Sequence, residues 1–173
     1  MVGITNLRAF CAYAALAGMA GIQPAFGQAS DEDSAPTEAE AHLIGAVAVG
    51  TALPPMTIHA STTFVATTAI ATRDFQDVHH DRDAAHARGS KDIFVNILTD
   101  NGLVQKYVTD WAGPEAFVRN ISIRLGAPCY AGDTLHFAGS VTAVDGAAVT
   151  IAVTAKDSLG DHISGTATVV LPA

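Results

Sequence analysis

The sequence is poor in basic residues and in cysteine. Nine Lys and Arg face 17 Asp and Glu, which gives a formal net charge of −8 over 173 residues. Because nucleic-acid binding needs a basic stripe that neutralises phosphates, these few scattered cations argue against it. The two cysteines, Cys11 and Cys129, have no companions at the short spacing of metal ligands. We therefore expect neither a disulfide framework nor a zinc site.

The sequence also lacks an apolar run long enough to span a membrane. An apolar segment over residues 9–22 follows Arg8, but it is shorter than a transmembrane helix requires. The small residues that come next, at Ala25-x-Gly27 and Gly27-x-Ala29, fit the rule for signal cleavage. The alternative is a gene start placed too far upstream, since GC-rich DNA translates into Ala-rich sequence.

What remains describes one globular domain. The apolar fraction of 49% and the charged fraction of 15% are typical of a folded chain with enough length to bury a core. Residues 28–42 are acidic and small, so they have little to bury. We predict a signal-like or mis-started flexible leader over residues 1–42 and a single domain over residues 43–173.

A long amphipathic helix is the main element predicted in the middle of the chain. Ser90 is its candidate N-cap, Asp92 would favour the helix dipole, and Gly113-Pro114 would end it. Apolar residues at helical spacing give it a buried face: Ile93, Ile97, Val104, Val108 and Trp111. The elements predicted before it are a strand near residues 57–61 and a short helical turn over 82–88, while residues 63–72 stay ambiguous on pattern because their Thr and Val favour a strand.

The last third of the chain reads as strands. A period of two runs from Phe117 to Leu125, in which Phe117, Arg119, Ile121, Ile123 and Leu125 alternate with Val118, Asn120, Ser122 and Arg124. Further strands are predicted over residues 134–144, around 149–153, and over 163–171. Asp145-Gly146 is typical of a type I′ hairpin turn. A long helix combined with antiparallel strands predicts the α+β class.

One stretch concentrates titratable groups, between residue 72 and the predicted turn at 82–88. It contains Asp74, Asp77, His79, His80 and Asp81. A loop that delivers a carboxylate and an imidazole to one point, braced by regular structure, is a common way to build an active site. The spacing of Asp74 and His79 suits a turn that brings both side chains to one water molecule. A metal site at His79-His80-Asp81 is not expected, because no distant ligands are apparent.

This stretch resembles the hydratase motif of MaoC-like hot-dog proteins, Gly-Asp-x-Asn-Pro-x-His-x-Asp. Asp74, His79 and Asp81 match its first acid, its histidine and its final acid. Three positions differ: Arg73 stands for the glycine, Gln76 for the asparagine and Asp77 for the proline. The resemblance runs from about Leu53 to the C-terminus. Together with residues 92–98, the motif is similar to one branch, the small subunit of enoyl-CoA hydratases that degrade steroid side chains.

The resemblance implies a hot-dog fold, with the sheet wrapped around the long helix and a short helix over residues 63–72, just before the motif. It also implies hydration of a 2-enoyl-CoA in the cytoplasm. Asp74 would be the general base and His79 would hold the same water. The backbone N–H of Asn96, where the family usually has glycine, would stabilise the enolate oxygen. Asp81 would brace the loop or cap the next turn. No cofactor or metal is implied. The resemblance also implies a bulky steroid-type acyl group, and either a second hot-dog subunit or a homodimer.

Three alternatives stay open. Asp74 and His79 could form a hydrogen-bonded pair that only stabilises a turn. The protein could be a hot-dog thioesterase, whose carboxylate usually lies on the central helix, where Asp100 and Asp110 are the candidates. It could also be an exported acyl- or lipid-binding hot-dog protein with a vestigial motif.

Overall fold

A computed structural model describes residues 47–172 of the chain. The predicted leader over residues 1–42 and Cys11 lie outside this part. The helices are α1 (Thr62–Ala71), α2 (Arg82–Ala87) and α3 (Ile97–Ala112), and a 3-10 turn (Asp77–His79) lies between α1 and α2. The strands are β1 (Met56–His59), β2 (Phe117–Leu125), β3 (Thr134–Asp145), β4 (Ala148–Asp157) and β5 (Gly160–Val170).

The five strands form one antiparallel sheet in the order β1-β3-β4-β5-β2. Strand β2 follows α3 along the chain yet pairs with β5, at the opposite edge from β1. Alternate residues of the central strands, such as Leu135, Phe137, Ile151 and Val153, are buried in one core with the inner face of α3. The predicted α+β class and the helix-against-sheet arrangement are confirmed. No helix within residues 47–172 is long and apolar enough to cross a membrane.

The predicted start of the long helix is wrong. It begins at Ile97 rather than after Ser90, and its N-cap is Asn96, whose Oδ1 accepts a hydrogen bond from Thr99 N at 2.9 Å. Its end is as predicted, with Gly113 as the C-cap at φ 86°. Asp92 therefore does not lie in the first turn of the helix. It forms an ion pair with Arg82 instead, at 2.8 Å.

The segment before Asn96 is extended because its neighbours offer backbone hydrogen bonds. Val95 N donates to Cys129 O at 3.0 Å, and Ala131 N donates to Ile93 O at 2.9 Å. Ile93 and Val95 are both buried. Their spacing of two fits an extended chain. Ile93 also fits the helical spacing of the later apolar residues, so the pattern alone extended the helix too far.

The β3–β4 hairpin differs from the predicted turn by one residue. Asp145 pairs with Ala148, so the two-residue loop is Gly146-Ala147. A type I′ turn needs positive φ at both loop residues, and only Gly146 has it, at 56°. Glycine in the first loop position is what a type II′ turn uses.

The two short helices flanking the motif are capped as their sequences suggest. Ser61 Oγ accepts from Phe64 N at 3.1 Å at the start of α1. Asp81 Oδ1 accepts from Ala84 N at 3.0 Å at the start of α2, which confirms its predicted capping role. These caps fix where the chain leaves α1 and where it enters α2. The motif loop between them is thus held at both ends.

Arg73, the residue in place of the motif's glycine, has a left-handed backbone with φ 59°. It is the one non-glycine residue with positive φ within residues 47–172. The turn after α1 needs this conformation to bring Asp74 back over the helix end, where Asp74 N donates to Ala69 O at 2.9 Å. A side chain with a Cβ is strained there. The family's glycine is thus explained by the backbone, and Arg73 keeps the same turn.

Arg73→Gly is therefore expected to be more stable than Arg73→Ala by about 1 kcal/mol, because both lose the arginine side chain and only glycine relieves the left-handed strain. Urea unfolding of the two variants measures the difference. Equal stabilities would show that the turn is not left-handed in solution. Substitution at exposed Thr63 of α1 provides a control, since Gly should there be less stable than Ala.

Candidate active site

The motif loop brings Asp74 and His79 together. The 3-10 turn at Asp77–His79 reverses the chain, so that His79 Nε2 lies 3.5 Å from Asp74 Oδ2. His79 is buried, and Asp74 is only partly exposed. Since 3.5 Å exceeds the usual length of a direct hydrogen bond but is too short for a water to lie between the two atoms, one water molecule beside the pair can contact both. This is the juxtaposition that the spacing of the two residues predicted.

The ring of His79 is oriented from its other side. Its Nδ1 lies 2.8 Å from Phe94 O, and the His79 ring packs edge-on against the Phe94 ring with centroids 4.7 Å apart. A carbonyl oxygen only accepts, so Nδ1 carries the hydrogen in this contact. In the neutral ring Nε2 is then free to accept a proton on the side facing Asp74. The backbone of Phe94, which sequence reasoning did not single out, fixes this tautomer.

Asn96 contacts Asp74 directly through its side chain. Its Nδ2 donates to Asp74 Oδ2 and to Thr72 Oγ1, each at 3.0 Å, while its Oδ1 caps α3. The side chain is buried. One residue therefore joins the start of the central helix to the carboxylate of the motif. The sequence pointed to the backbone of Asn96 but not to this tether, although asparagine before an amphipathic helix is a recognisable N-cap.

The backbone N–H of Asn96 stands at the N-terminus of α3, where helix amides lack intrahelical partners and the dipole favours negative charge. Within residues 47–172, no backbone hydrogen bond uses this N–H as donor. Its role as the oxyanion donor stays a prediction.

The other titratable residues of the motif do not join the dyad. His80 is exposed, with Nε2 at 3.3 Å from Phe75 O. Asp77 forms an ion pair with Arg88 at 2.8 Å, and Asp81 caps α2. In the described part of the chain, no three His, Cys, Asp or Glu side chains converge as metal ligands.

The two acids of α3 are both engaged elsewhere. Asp110 is exposed and forms an ion pair with Lys106 at 2.7 Å. Asp100 is fully buried, with Oδ1 at 3.1 Å from His162 Nε2, in a pair that sequence reasoning missed. A thioesterase carboxylate on this helix would have to reach substrate. Asp100 has no solvent access. Asp110 is exposed and lines a cavity with Tyr107 and Trp111, but it lies near the C-terminal end of α3, about 20 Å along the helix from Asn96 and the motif loop, which disfavours a shared site.

Large apolar side chains are exposed on the segments that carry the site. They are Ile70 at the end of α1, Phe75 beside Asp74, and Ile97 and Leu98 directly after Asn96. Each of the four lies within four residues of Asp74 or Asn96 along the chain, and exposed apolar area beside a site is often covered by a ligand or a partner. We call these four residues the apolar rim of the site.

Comparison with known proteins finds close relatives, although no protein-family model matches the chain. The chain is 60% identical over 118 residues to the 3-oxo-4,17-pregnadiene-20-carboxyl-CoA hydratase beta subunit of Mycobacterium tuberculosis, covering 68% of this chain and 92% of that protein. One chain of the solved ChsH1-ChsH2 complex from Mycobacterium tuberculosis matches with a TM-score of 0.71 and 56% identity, over 72% of this chain and 98% of that chain. An (R)-hydratase from A. caviae involved in PHA biosynthesis matches with a TM-score of 0.68 at 21% identity, over 73% and 98% of the two chains. This last likeness concerns the fold.

Proposed function

The chain belongs to the MaoC-like hot-dog enoyl-CoA hydratases, and from this premise we propose that it hydrates a 2-enoyl-CoA with a bulky steroid-type acyl group, together with a second hot-dog subunit. The observation that carries the proposal is the Asp74–His79 dyad, held from one side by Asn96 and from the other by the Phe94 carbonyl. An Asp–His pair that only stabilised a turn would not need both supports.

In the proposed reaction one water contacts both Asp74 Oδ2 and His79 Nε2. Asp74 takes a proton from this water while the water oxygen attacks C3 of the unsaturated thioester, and His79 keeps the water oriented. The π electrons move toward the carbonyl, so negative charge develops on the thioester oxygen. The backbone N–H of Asn96 donates to that oxygen, assisted by the dipole of α3. C2 then receives the proton that Asp74 took up, so the base is regenerated and the elements of water have been added across the double bond.

Asn96 connects the two halves of this chemistry. Its side chain holds the same Asp74 oxygen that faces His79, and its backbone N–H is the proposed oxyanion donor. The carboxylate and the donor are therefore held at a fixed separation by one residue. Holding the reacting groups in a fixed geometry lowers the activation barrier, because their orientation no longer has to be found during the reaction.

The acyl group and the partner are inferred from the relatives and from the surface. The relative's name specifies a steroid carboxyl-CoA, and the similar solved structure is a complex of two proteins. The apolar rim leaves apolar area to be covered by an acyl group or a second subunit. The chain is also poor in Lys and Arg, so we propose that much of the binding to the CoA phosphates comes from the partner.

The test is hydration measured with and without the partner. Alone, the protein is expected to hydrate a 2-enoyl-CoA with a polycyclic acyl chain weakly. Co-expression with a second hot-dog subunit is expected to raise the rate at least about tenfold, because the pocket is completed. The Asp74→Asn variant with the same partner is the matched control, since it would reveal activity that belongs to the partner. Full turnover by a purified homo-oligomer would contradict the partner requirement.

We place the protein in the cytoplasm, where CoA thioesters are used, and treat residues 1–42 as a leader outside the catalytic domain over 43–173. The signal-like pattern ending near Ala29 is the argument for export. Mass spectrometry of the N-terminus from cell fractions distinguishes the two. A mature protein that begins near Gln28 or Ser30 in a periplasmic fraction would overturn the cytoplasmic assignment.

A further inference from the structure

The core contains a second acid–histidine pair that the proposed reaction does not use. Asp100, in the first turns of α3, and His162, on β5, are both buried. His162 Nε2 lies 3.1 Å from Asp100 Oδ1, and His162 Nδ1 lies 2.6 Å from Ala127 O. Burying such a pair is costly unless its hydrogen bonds are well made, so a stable core would not by itself require one.

Both neighbours of the His162 ring are hydrogen-bond acceptors. A neutral imidazole has one N–H and could donate to only one of them, whereas the imidazolium donates to both. His79 differs, because its Nε2 lies 3.5 Å from the nearest carboxylate oxygen and only its Nδ1 has a close acceptor. The geometry thus favours an imidazolium at His162 that donates to both acceptors, and we call this charged Asp100–His162 pair the clamp. Nε2 of His79 stays free to accept a proton.

The clamp touches the supports of both catalytic side chains. Through Asp100 it fixes the start of α3, where Asp100 N donates to Asn96 O at 3.1 Å. Through Ala127 it fixes the segment 127–131, where Cys129 O accepts from Val95 N next to Phe94. Asn96 holds Asp74, and the Phe94 carbonyl holds His79.

We propose that Asp100 and His162 are positioning residues for the hydration reaction, whose charged pair sets the start of α3 and the Phe94 segment at the separation that the dyad needs. The proposal rests on the hydratase function proposed above. Neither residue touches substrate. They act through Asn96 on one side and Phe94 on the other.

The groups around the ring determine how the clamp responds to pH. Burial lowers the pKa of His162, but the hydrogen bond and charge of Asp100 outweigh this, helped by the Ala127 carbonyl and by Asp157 from β4, so the pKa is raised above its ordinary value. Burial, with the charges of Asp157, Asp133 and Asp100, raises the pKa of Cys129 to about 12, so this neighbouring thiol stays neutral. A raised pKa in the fold means that the stabilisation is present below the ordinary histidine value and is lost as pH rises through the folded value.

Two double variants test the proposal in the complex with the partner subunit. Asp100→Leu with His162→Leu fills the space with apolar groups, a replacement that folded proteins often tolerate. Asp100→Asn with His162→Gln keeps polar groups but removes both charges. We expect the Leu pair to lower kcat by about 10- to 100-fold with KM little changed, since small misplacements of catalytic groups have effects of this size. The Asn/Gln pair should lose less.

The pH profile separates positioning from mere stability. In the wild type, kcat should fall at alkaline pH over the same range in which Tm falls, and both double variants should lack this fall. A folded Leu pair with the wild-type kcat and pH profile overturns the proposal. If the Leu pair does not fold, a folded Asn/Gln pair with the wild-type kcat and pH profile overturns the proposal. The proposal is also overturned if the wild-type Tm falls at alkaline pH while the wild-type kcat does not.

An NMR measurement keeps this test independent of activity. The side-chain NH2 signal of Asn96 should shift in both double variants, while signals from the distant β3–β4 hairpin loop at Gly146 stay in place. An unchanged Asn96 signal in a folded variant contradicts the positioning role even if no substrate has been found. If the Asn96 signal shifts as expected in the variants but the wild-type complex does not hydrate the 2-enoyl-CoA, the proposed function is contradicted and the positioning role is not.

Discussion

Asp74→Asn is expected to reduce kcat by roughly 10²–10⁴, the usual range for loss of a general base. The substitution keeps the shape of the side chain and its place beside Asn96 but removes the group that takes the proton. His79→Ala should cost a similar amount, because the water that contacts both side chains is then held by Asp74 alone. The expected double variant is scarcely worse than the more damaged single variant, since residues that act as a unit are non-additive.

The assay is hydration of an unsaturated acyl-CoA with the partner subunit present, and circular dichroism checks folding. His80→Ala is the matched control, one residue away on the same loop. His80 is exposed and points to Phe75 O rather than to Asp74, so this variant should keep most activity. Independent, additive losses from Asp74→Asn and His79→Ala would show that the two residues do not share one water. An inactive His80→Ala beside a near-normal His79→Ala would place the wrong histidine in the site.

Asn96→Asp is expected to lower kcat by roughly 10²–10³ near neutral pH, although it changes only an amide to a carboxyl group. In the wild type, Asn96 Nδ2 donates a hydrogen bond to Asp74 Oδ2 at 3.0 Å. A carboxyl oxygen in its place would face a second carboxylate, and two such groups at this distance share one proton. The base form of the dyad is then present only at higher pH. The acid limb of the rate profile should therefore move upward, with activity recovering as pH rises.

The stability of this variant separates the electrostatic effect from damage to the helix. Aspartate is as good an N-cap as asparagine, so any loss of melting temperature in Asn96→Asp should come from the carboxyl pair. The loss should be small at acid pH, where the pair keeps its shared proton, and should grow as pH rises. Asn96→Gly is the second control, because it restores the family's residue and the backbone N–H but removes the tether to Asp74. It should lose less activity and show no shift of the acid limb. Wild-type kcat in Asn96→Asp would mean that the Asn96–Asp74 hydrogen bond is absent in the working enzyme.

Local patterns in the sequence were sufficient for most of the elements. Alternation between Phe117 and Leu125 predicted β2 with the bounds that the structure has, and Gly113-Pro114 predicted the end of α3. These signals are local, since side-chain period and backbone restrictions act within a few residues. The sequence also predicted that Asp74 and His79 pair, because residues five positions apart are brought together by a single turn.

Local patterns failed where distant segments compete for the same residues. Ser90 and Asp92 make a plausible helix start in isolation, and Ile93 fits the helical apolar spacing. Hydrogen bonds from Ala131 N to Ile93 O and from Val95 N to Cys129 O keep this stretch extended, and these partners lie more than thirty residues away. A sequence window that ends before Cys129 cannot include that competition.

The sequence by itself determined the family, the fold class and the two side chains proposed to share a water. Only the tertiary structure decided what holds them in place. The Asn96 tether to Asp74, the Phe94 carbonyl on His79 and the Asp100–His162 pair join residues 22, 15 and 62 positions apart. Each contact depends on how the helix lies against the sheet and the motif loop. That placement follows from burial of the whole apolar core, which is a property of the assembled fold and of no single stretch.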